Sequence, residues 1–135
     1  MPTLPDAALA AKLGVQPGHR VVLLGAPDDL SITFPPGVAV RRRSGGSADV
    51  VVAFVTRSAD LLRTVDRLAP TVFPAGGLWI AWPKRSSGVA TDVTDHAVRA
   101  TGLPLGLVDN KVCAVDRTWT ALRLVWRKER RGGPG

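Results

Sequence analysis

The sequence predicts an α/β fold: a single three-layer domain with a mostly parallel sheet and a C-terminal antiparallel hairpin. Short, continuous apolar runs alternate with helical patterns, which is typical of parallel strands that are buried on both faces. Near the carboxyl end, two strand patterns follow each other across the short turn 116–118, which predicts the hairpin. The length of 135 residues suits one domain. We expect that domain to cover 1–127 and the basic remainder, 128–135, to be a disordered tail.

The predicted strands are recognised by their apolar composition and by the Gly, Pro and polar residues that bound them. The parallel strands are expected at 21–24, 38–40, 49–55 and 78–82, and the hairpin strands at 107–115 and 120–127. Trp79 and Trp82 stand at odd spacing on one strand, so their side chains should point to opposite faces of the sheet.

Three segments have the composition or the spacing of helices. They are expected at 7–13, from a cap at Ser58 to about Leu68, and from a cap at Thr91 or Thr94 to about Gly102. The stretch from Asp28 to Phe34 shows no helical period, and we expect at most one turn of helix there.

The chain is basic: eighteen Lys and Arg against eleven Asp and Glu give a formal net charge of +7. The dense runs are Arg41-Arg42-Arg43 and the tail that begins at Arg127. Such a balance favours anionic partners through long-range attraction, so a nucleic-acid accessory protein is one alternative. Because the other positive charges are dispersed along the chain, specific nucleic-acid binding is not expected.

Cys113 is the single cysteine, which rules out a disulfide or a cysteine metal cluster within one chain, and no metal site is predicted. Its neighbours Val112 and Ala114 are apolar, so we expect an inert core residue. No apolar stretch approaches the roughly 18–20 residues of a membrane span. The first residues lack the basic and apolar regions of a signal peptide, so we expect a cytoplasmic protein that does not associate with membranes.

A basic, hydroxyl-rich loop follows the strand 78–82 and is the predicted ligand site. In open α/β sheets, ligands collect outside the carboxyl ends of the strands. Two cations, two hydroxyls and a flexible glycine beside free helix N–H groups would form a cradle for an anion, whereas the plain structural interpretation is a solvated loop. The candidate ligand-binding residues are Lys84, Arg85, Ser86, Ser87, Gly88, Thr91 and Asp92.

Asp92, Asp95 and His96 allow two interpretations. Acidic residues at the start of a helix are ordinary partners of its dipole, whereas an Asp beside a His could perform acid–base chemistry. The spacing is that of a helix cap, which favours the structural role. The pattern identifies no catalytic residue.

Two passages resemble Rossmann-like methyltransferases. The turn 74–77 with the following strand is similar to their proline-glycine-glycine passage, 17–25 is similar to their first strand, and 107–126 to their last two strands. The resemblance implies a Rossmann-like fold that holds adenosylmethionine at a Gly-rich turn and an acidic residue. Here the turn has only Gly25 before Pro27, and Arg41 to Arg43 stand where the acid is expected, so no usable adenosylmethionine motif is recognised.

The chain also resembles a family of small bacterial proteins that is described as a domain of unknown function. The passages that carry this resemblance are 82–84, 88–92, 106–116 and 118–122. The resemblance implies no activity, and the cofactor stays unknown.

These observations predict a methyltransferase-like module that binds a small anion or a protein partner. One alternative is an enzyme of unknown reaction, such as a degenerate methyltransferase, and the other is the nucleic-acid accessory protein.

Overall fold

The computed structural model describes residues 5–131, and its strands form where the apolar runs predict them. The strands are β1 (Arg20–Leu24), β2 (Ala39–Arg41), β3 (Val50–Phe54), β4 (Gly77–Pro83), β5 (Leu107–Ala114) and β6 (Trp119–Trp126). They form one six-stranded sheet in the order β2-β1-β3-β4-β6-β5. β1 to β4 are parallel, and β6 runs antiparallel to both β4 and β5. The predicted fold class and the closing hairpin are confirmed.

The three predicted helices lie near their predicted positions, and a short helix also forms at the start of the segment for which the sequence predicts a disordered tail. They are α1 (Pro5–Lys12), α2 (Leu61–Leu68), α3 (Asp95–Gly102) and the single turn α4 (Lys128–Arg131). Short 3-10 turns extend α2 at both ends. α4 takes up the first part of the predicted tail, whereas 132–135 lie outside the described residues. The predicted domain boundary at 127 stays a prediction.

The sheet separates two apolar cores. One face packs against α2 and α3 through residues such as Leu78 and Leu122, and the other packs against α1 through Trp79 and Ala121. All seven residues of β4 are buried, because both faces of this strand are covered. Trp79 and Trp82 belong to different cores, as their spacing predicts.

The connection from β1 to β2, residues 25–38, contains no helix. The irregular connection that the sequence predicts is therefore observed, and the single turn of helix that it allows over 28–34 does not form. Leu30, Ile32 and Phe34 instead pack at alternate positions against the core that α1 also covers. Alternating contacts of this kind require extended backbone, since a helix presents side chains to one face at a spacing of three and four.

Two features of the described part of the chain bear on possible sites. None of its helices is long and apolar enough to cross a membrane. Within 5–131, no three His, Cys, Asp or Glu side chains come together in a group that could hold a metal ion. Cys113 is buried, and burial raises the pKa of its thiol, which fits the expected inert core residue.

Candidate functional site

The predicted ligand loop lies at the carboxyl edge, which we define as the edge of the sheet at which β1 to β4 end. Lys84 directly follows β4, and residues 85–87 form a 3-10 turn that Gly88 ends with a φ of 77°. The position that the sequence predicts for this loop is therefore observed. The internal bonding of the loop then decides which of its groups can meet a ligand.

The ammonium group of Lys84 is bound within the protein. Its Nζ donates to the carbonyl oxygen of Asp116 at 2.6 Å, and its backbone N–H donates to that of Thr118 at 2.7 Å. The loop is thereby fixed to the turn between β5 and β6. The Ser87 hydroxyl is also engaged, because it donates to the Lys84 carbonyl at 2.6 Å and accepts the Val89 N–H at 3.1 Å.

Thr91 and Asp92 connect the loop to the segment that leads into α2. The Thr91 hydroxyl donates to the carbonyl oxygen of Thr56 at 2.7 Å. The Asp92 carboxylate accepts the hydroxyl of Ser58 at 2.6 Å and its N–H at 2.7 Å. These two hydrogen bonds, the hydroxyl first, lower the pKa of Asp92 below its usual value. A carboxylate of this chain thus already occupies the amino end of the α2 segment.

The free helix N–H groups that the sequence interpretation places beside the loop are not free there. α3 begins only at Asp95, and the hydroxyl of Thr94 accepts the N–H of Ala97 at 3.1 Å as its cap. Asp95 binds Arg99, 2.7 Å between Oδ2 and Nη1, and this hydrogen bond is the main reason why the pKa of Asp95 is lowered. Both acids near the loop therefore have structural partners: Asp95 lies in the first turn of α3, whereas Asp92 binds the start of the α2 segment and not that of α3.

Arg85 and Ser86 are the members of the predicted set whose side chains are exposed and have no hydrogen-bond partner among the described residues. Arg85 lines an open pocket of about 460 Å³. The same pocket is lined by Thr91, Asp92 and Asp95, so one positive charge faces two negative ones. The charged side chains of this lining therefore carry one net negative charge, which disfavours anions of multiple charge.

A second position at the carboxyl edge follows from the topology. The strand order reverses between β1 and β3, and open α/β sheets receive ligands at such switch points. Here Gly25 follows β1 with a φ of 69°, and a Cβ at this residue would lie 3.2 Å from the carbonyl oxygen of Phe54 at the end of β3. The Phe54 ring meets Trp119 edge to face at 5.0 Å. The backbone of β3 and the Phe54–Trp119 ring pair therefore border this switch point, although Gly25 itself is exposed.

The residue that ends β2 is also turned inward. The Arg41 guanidinium donates from Nη2 to the carbonyl oxygens of Gly45 and Ser47. Arg41 thus closes its own loop through Nη2, whereas its Nε is buried without a hydrogen-bond partner among the described residues.

At the opposite, amino edge of the sheet, where β1 to β4 begin, the structure shows a polar pocket that the sequence interpretation missed. Its volume is about 460 Å³, and its wall includes His19, Arg20, Asp49, Gly76 and Arg123. A sequence signal for it exists: Arg123 interrupts an apolar strand at a position that alternation places on the same face as the buried residues 121 and 125.

The strand order, the single antiparallel strand and the flanking helices define a methyltransferase-like Rossmann fold. Among solved structures, the chain is similar to magnesium protoporphyrin IX methyltransferase from Synechocystis PCC 6803 with bound SAH. The TM-score is 0.60 at 12% identity, over 89% of this chain and 80% of that chain.

It is also similar to a putative methyltransferase from Thermoplasma acidophilum, with a TM-score of 0.53 at 13% identity over 84% of this chain and 70% of that one. A third similar structure is a variant of LepI in complex with SAH and a substrate analogue. Its TM-score is 0.52 at 14% identity, over 89% of this chain and 39% of that one. At these identities the similarity shows the fold alone. No protein-family model and no curated protein matches the sequence.

Proposed function

We propose that this protein is a methyltransferase-like binding module that does not use adenosylmethionine and that binds a small anion. The observation that carries the proposal is the composition of the switch point, which has a single glycine after β1, Pro27 beside it and Arg41 in place of an acid. The close approach of Gly25 to the Phe54 carbonyl also leaves little room for a ligand group between the ends of β1 and β3.

The residues present do not fit adenosylmethionine. The turn after β1 has a single glycine, and Pro27 lacks the N–H that a backbone cradle would use. Because residues 25–38 contain no helix, no helix amino end faces the switch point from this connection. Arg41 occupies the position at the end of β2 where an acidic residue would hold a ribose, and its guanidinium binds the Gly45 carbonyl.

The predicted anion site remains part of the proposal in a restricted form. Lys84, Ser87, Thr91 and Asp92 fix the loop through internal hydrogen bonds, and Gly88 provides its turn. Arg85 and Ser86 would make the contacts with the anion. Asp92 and Asp95 in the same pocket would exclude anions of multiple charge, such as polyphosphates, through like-charge repulsion.

Ligand-dependent thermal stabilisation tests the first half of the proposal. A ligand at 100 times its dissociation constant raises the free energy of unfolding by about 2.7 kcal/mol. We expect no such stabilisation with adenosylmethionine or SAH. Stabilisation by either compound, or transfer of a labelled methyl group to any acceptor, would contradict the proposal and favour the degenerate methyltransferase.

The second half is tested with acetate as the monovalent probe, at an ionic strength matched with sodium chloride. Arg85→Ala should abolish the response, whereas Arg67→Ala, which removes an exposed arginine of α2, should leave it unchanged. An equal response in both variants would mean that acetate acts through general charge. The unknown-function family, the cytoplasmic location and a protein partner remain predictions.

A further inference from the structure

Arg123 lies in the middle of β6, between Trp79 of β4 and Lys111 of β5 in the strand register. Its side chain is half-buried. The guanidinium lies against Gly77: a Cβ built there would meet the Nε atom and come within 3.0 Å of Cζ and Nη2. The absence of a side chain at Gly77 is therefore what allows the guanidinium to lie at this point of the amino edge.

This guanidinium has no acidic partner and no hydrogen bond to any other group within 5–131. By contrast Arg99, which is also partly buried, binds Asp109 at 2.8 Å and Asp95 at 2.7 Å. Burial is the main cause that lowers the pKa of Arg123, and the nearby Arg131 adds to it. A half-buried charge without a partner is unfavourable, and an anion that fits beside it would relieve this cost.

The pocket in front of Arg123 offers further donors. His19 accepts the N–H of Gln16 on Nδ1 at 3.1 Å, which leaves its Nε2 to carry the proton and to donate. Arg20 and Ser47 line the same pocket with side chains for which no partner is found in the described residues. Arginine also presents two parallel N–H groups that match the two oxygens of a carboxylate or phosphate.

One acidic group, Asp49, lies in the wall of this pocket. Its Oδ2 accepts the backbone N–H of Arg20 at 2.8 Å, so it is engaged at the start of β1. Arg20 and Arg123 against Asp49 leave one net positive charge in the lining, and Arg131 stands close enough to Arg123 to add to the positive field. The carboxyl-edge pocket has the opposite balance, one arginine against two aspartates.

We infer that the amino-edge pocket is a second binding site, for a small oxyanion of the carboxylate or phosphate-ester class, and that Arg123 is its main ligand-binding residue. The site goes beyond the proposed function, because it lies at the opposite edge of the sheet from Arg85 and shares no residue with that pocket. Evidence against one of the two sites would therefore leave the proposal for the other unaffected.

The test titrates the full chain with inorganic phosphate and, separately, with succinate at matched ionic strength, while backbone amide resonances are followed by NMR. Both probes should shift amides around the pocket, at 14–16, 18–20, 47–49 and 76, and not those at 85–92. Tighter binding of phosphate assigns the phosphate-ester class, and tighter binding of succinate assigns the carboxylate class. Shifts that sodium chloride reproduces, or that do not map to this pocket, would overturn the inference.

Variants then identify the residue. Arg123→Met should weaken oxyanion binding by at least about tenfold, the loss expected for a charge-assisted bidentate contact, and Arg67→Ala should change it by less than about twofold. Without ligand, Arg123→Met should melt at the same temperature or higher, because it removes an unpaired charge. A melting temperature several degrees lower, or unchanged affinity, would show that Arg123 has a structural role instead.

Gly77→Ala is an independent variant should Arg123→Met not fold. The added methyl group would push the guanidinium out of its position while the charge stays in place. Weakened oxyanion binding in this variant supports the site, and unchanged binding overturns it.

Discussion

The two edges of the sheet use their polar groups in opposite ways. At the carboxyl edge, Lys84, Thr91 and Asp92 all bind other parts of the chain, so the loop is held and few groups are left for a ligand. At the amino edge, Arg123 is half-buried with no partner among the described residues, and donors surround the pocket in front of it.

This difference shows what the topological rule can and cannot predict. The rule states at which edge of an open α/β sheet ligands usually bind, because that is where strand ends and loops converge. It does not state whether the polar groups at that edge are already satisfied. A buried or half-buried polar group without a partner is a more direct sign of a site, because leaving its hydrogen bonds unmade costs free energy.

The largest loss of stability is expected from Trp79→Ala, which would disturb the packing at the amino edge of the sheet. Trp79 is fully buried, and its Nε1 donates to the carbonyl oxygen of Leu13 at 3.0 Å, which ties the end of the α1 segment to the sheet. Truncation should lower the free energy of unfolding by about 3–5 kcal/mol in urea denaturation. It should also weaken oxyanion binding, because Gly14 and Gln16 line the pocket.

Trp126→Ala is the matched control on the other face. Its Nε1 donates to the Ala69 carbonyl at 2.9 Å and its ring meets Phe73 edge to face, but the side chain is only half-buried. We expect a smaller loss of stability in urea denaturation, because less of the side chain is buried. Equal losses in the two variants would contradict the special role of Trp79.

A pair of glycines at the carboxyl edge provides the next effect. Gly25 and Gly88 both have positive φ, 69° and 77°, and alanine in this region costs about 1–2 kcal/mol. Only Gly25 also faces a close neighbour, the Phe54 carbonyl. Gly25→Ala should therefore cost about 1 kcal/mol more than Gly88→Ala in urea denaturation, because of the added crowding. Equal costs would show that a side chain at residue 25 is not crowded by the Phe54 carbonyl.

Lys84→Met tests whether Lys84 stabilises the predicted ligand loop through a hydrogen bond within the protein. Loss of the Nζ hydrogen bond to Asp116 should lower the free energy of unfolding by about 0.5–1.5 kcal/mol. Arg85→Met, which removes an exposed cation without a described partner, should stay within about 0.5 kcal/mol. In acetate titrations the order should reverse, so that the response survives in the Lys84 variant and disappears in the Arg85 variant. Loss of the response in both variants would indicate that Lys84 also binds the anion.

The strands could be predicted from the sequence because their signal is local. Apolar runs such as 50–54 and 78–82 are too short and too continuous for surface helices, and parallel strands covered on both faces require such runs. The cap at Thr94 is local as well, since its partner Ala97 lies one turn away.

The hydrogen bonds that fix the predicted ligand loop could not be predicted, because their partners are distant in the chain. Lys84 meets Asp116 only after the hairpin has folded back, and Asp92 meets Ser58 only after α2 and α3 have packed on the same face. Arg123 lies between these cases: alternation along β6 places it on a buried face, but its lack of a partner becomes visible only in the fold.

The smallest effect is expected for Asp92→Asn, and it concerns acid stability. The hydrogen bonds from Ser58 hold the pKa of Asp92 in the folded protein below its usual value of 3.8. A lowered carboxyl pKa contributes stability that is fully present above the unfolded value and is lost as the pH falls through the folded value. The Asn variant should therefore melt slightly lower at neutral pH, and the two melting curves should converge below about pH 4. Asp66→Asn, at an exposed α2 position with no described hydrogen bond, should produce no such convergence. If the Asn variant and the native protein differ by the same amount at every pH, the carboxylate does not act as the charged cap of the α2 segment.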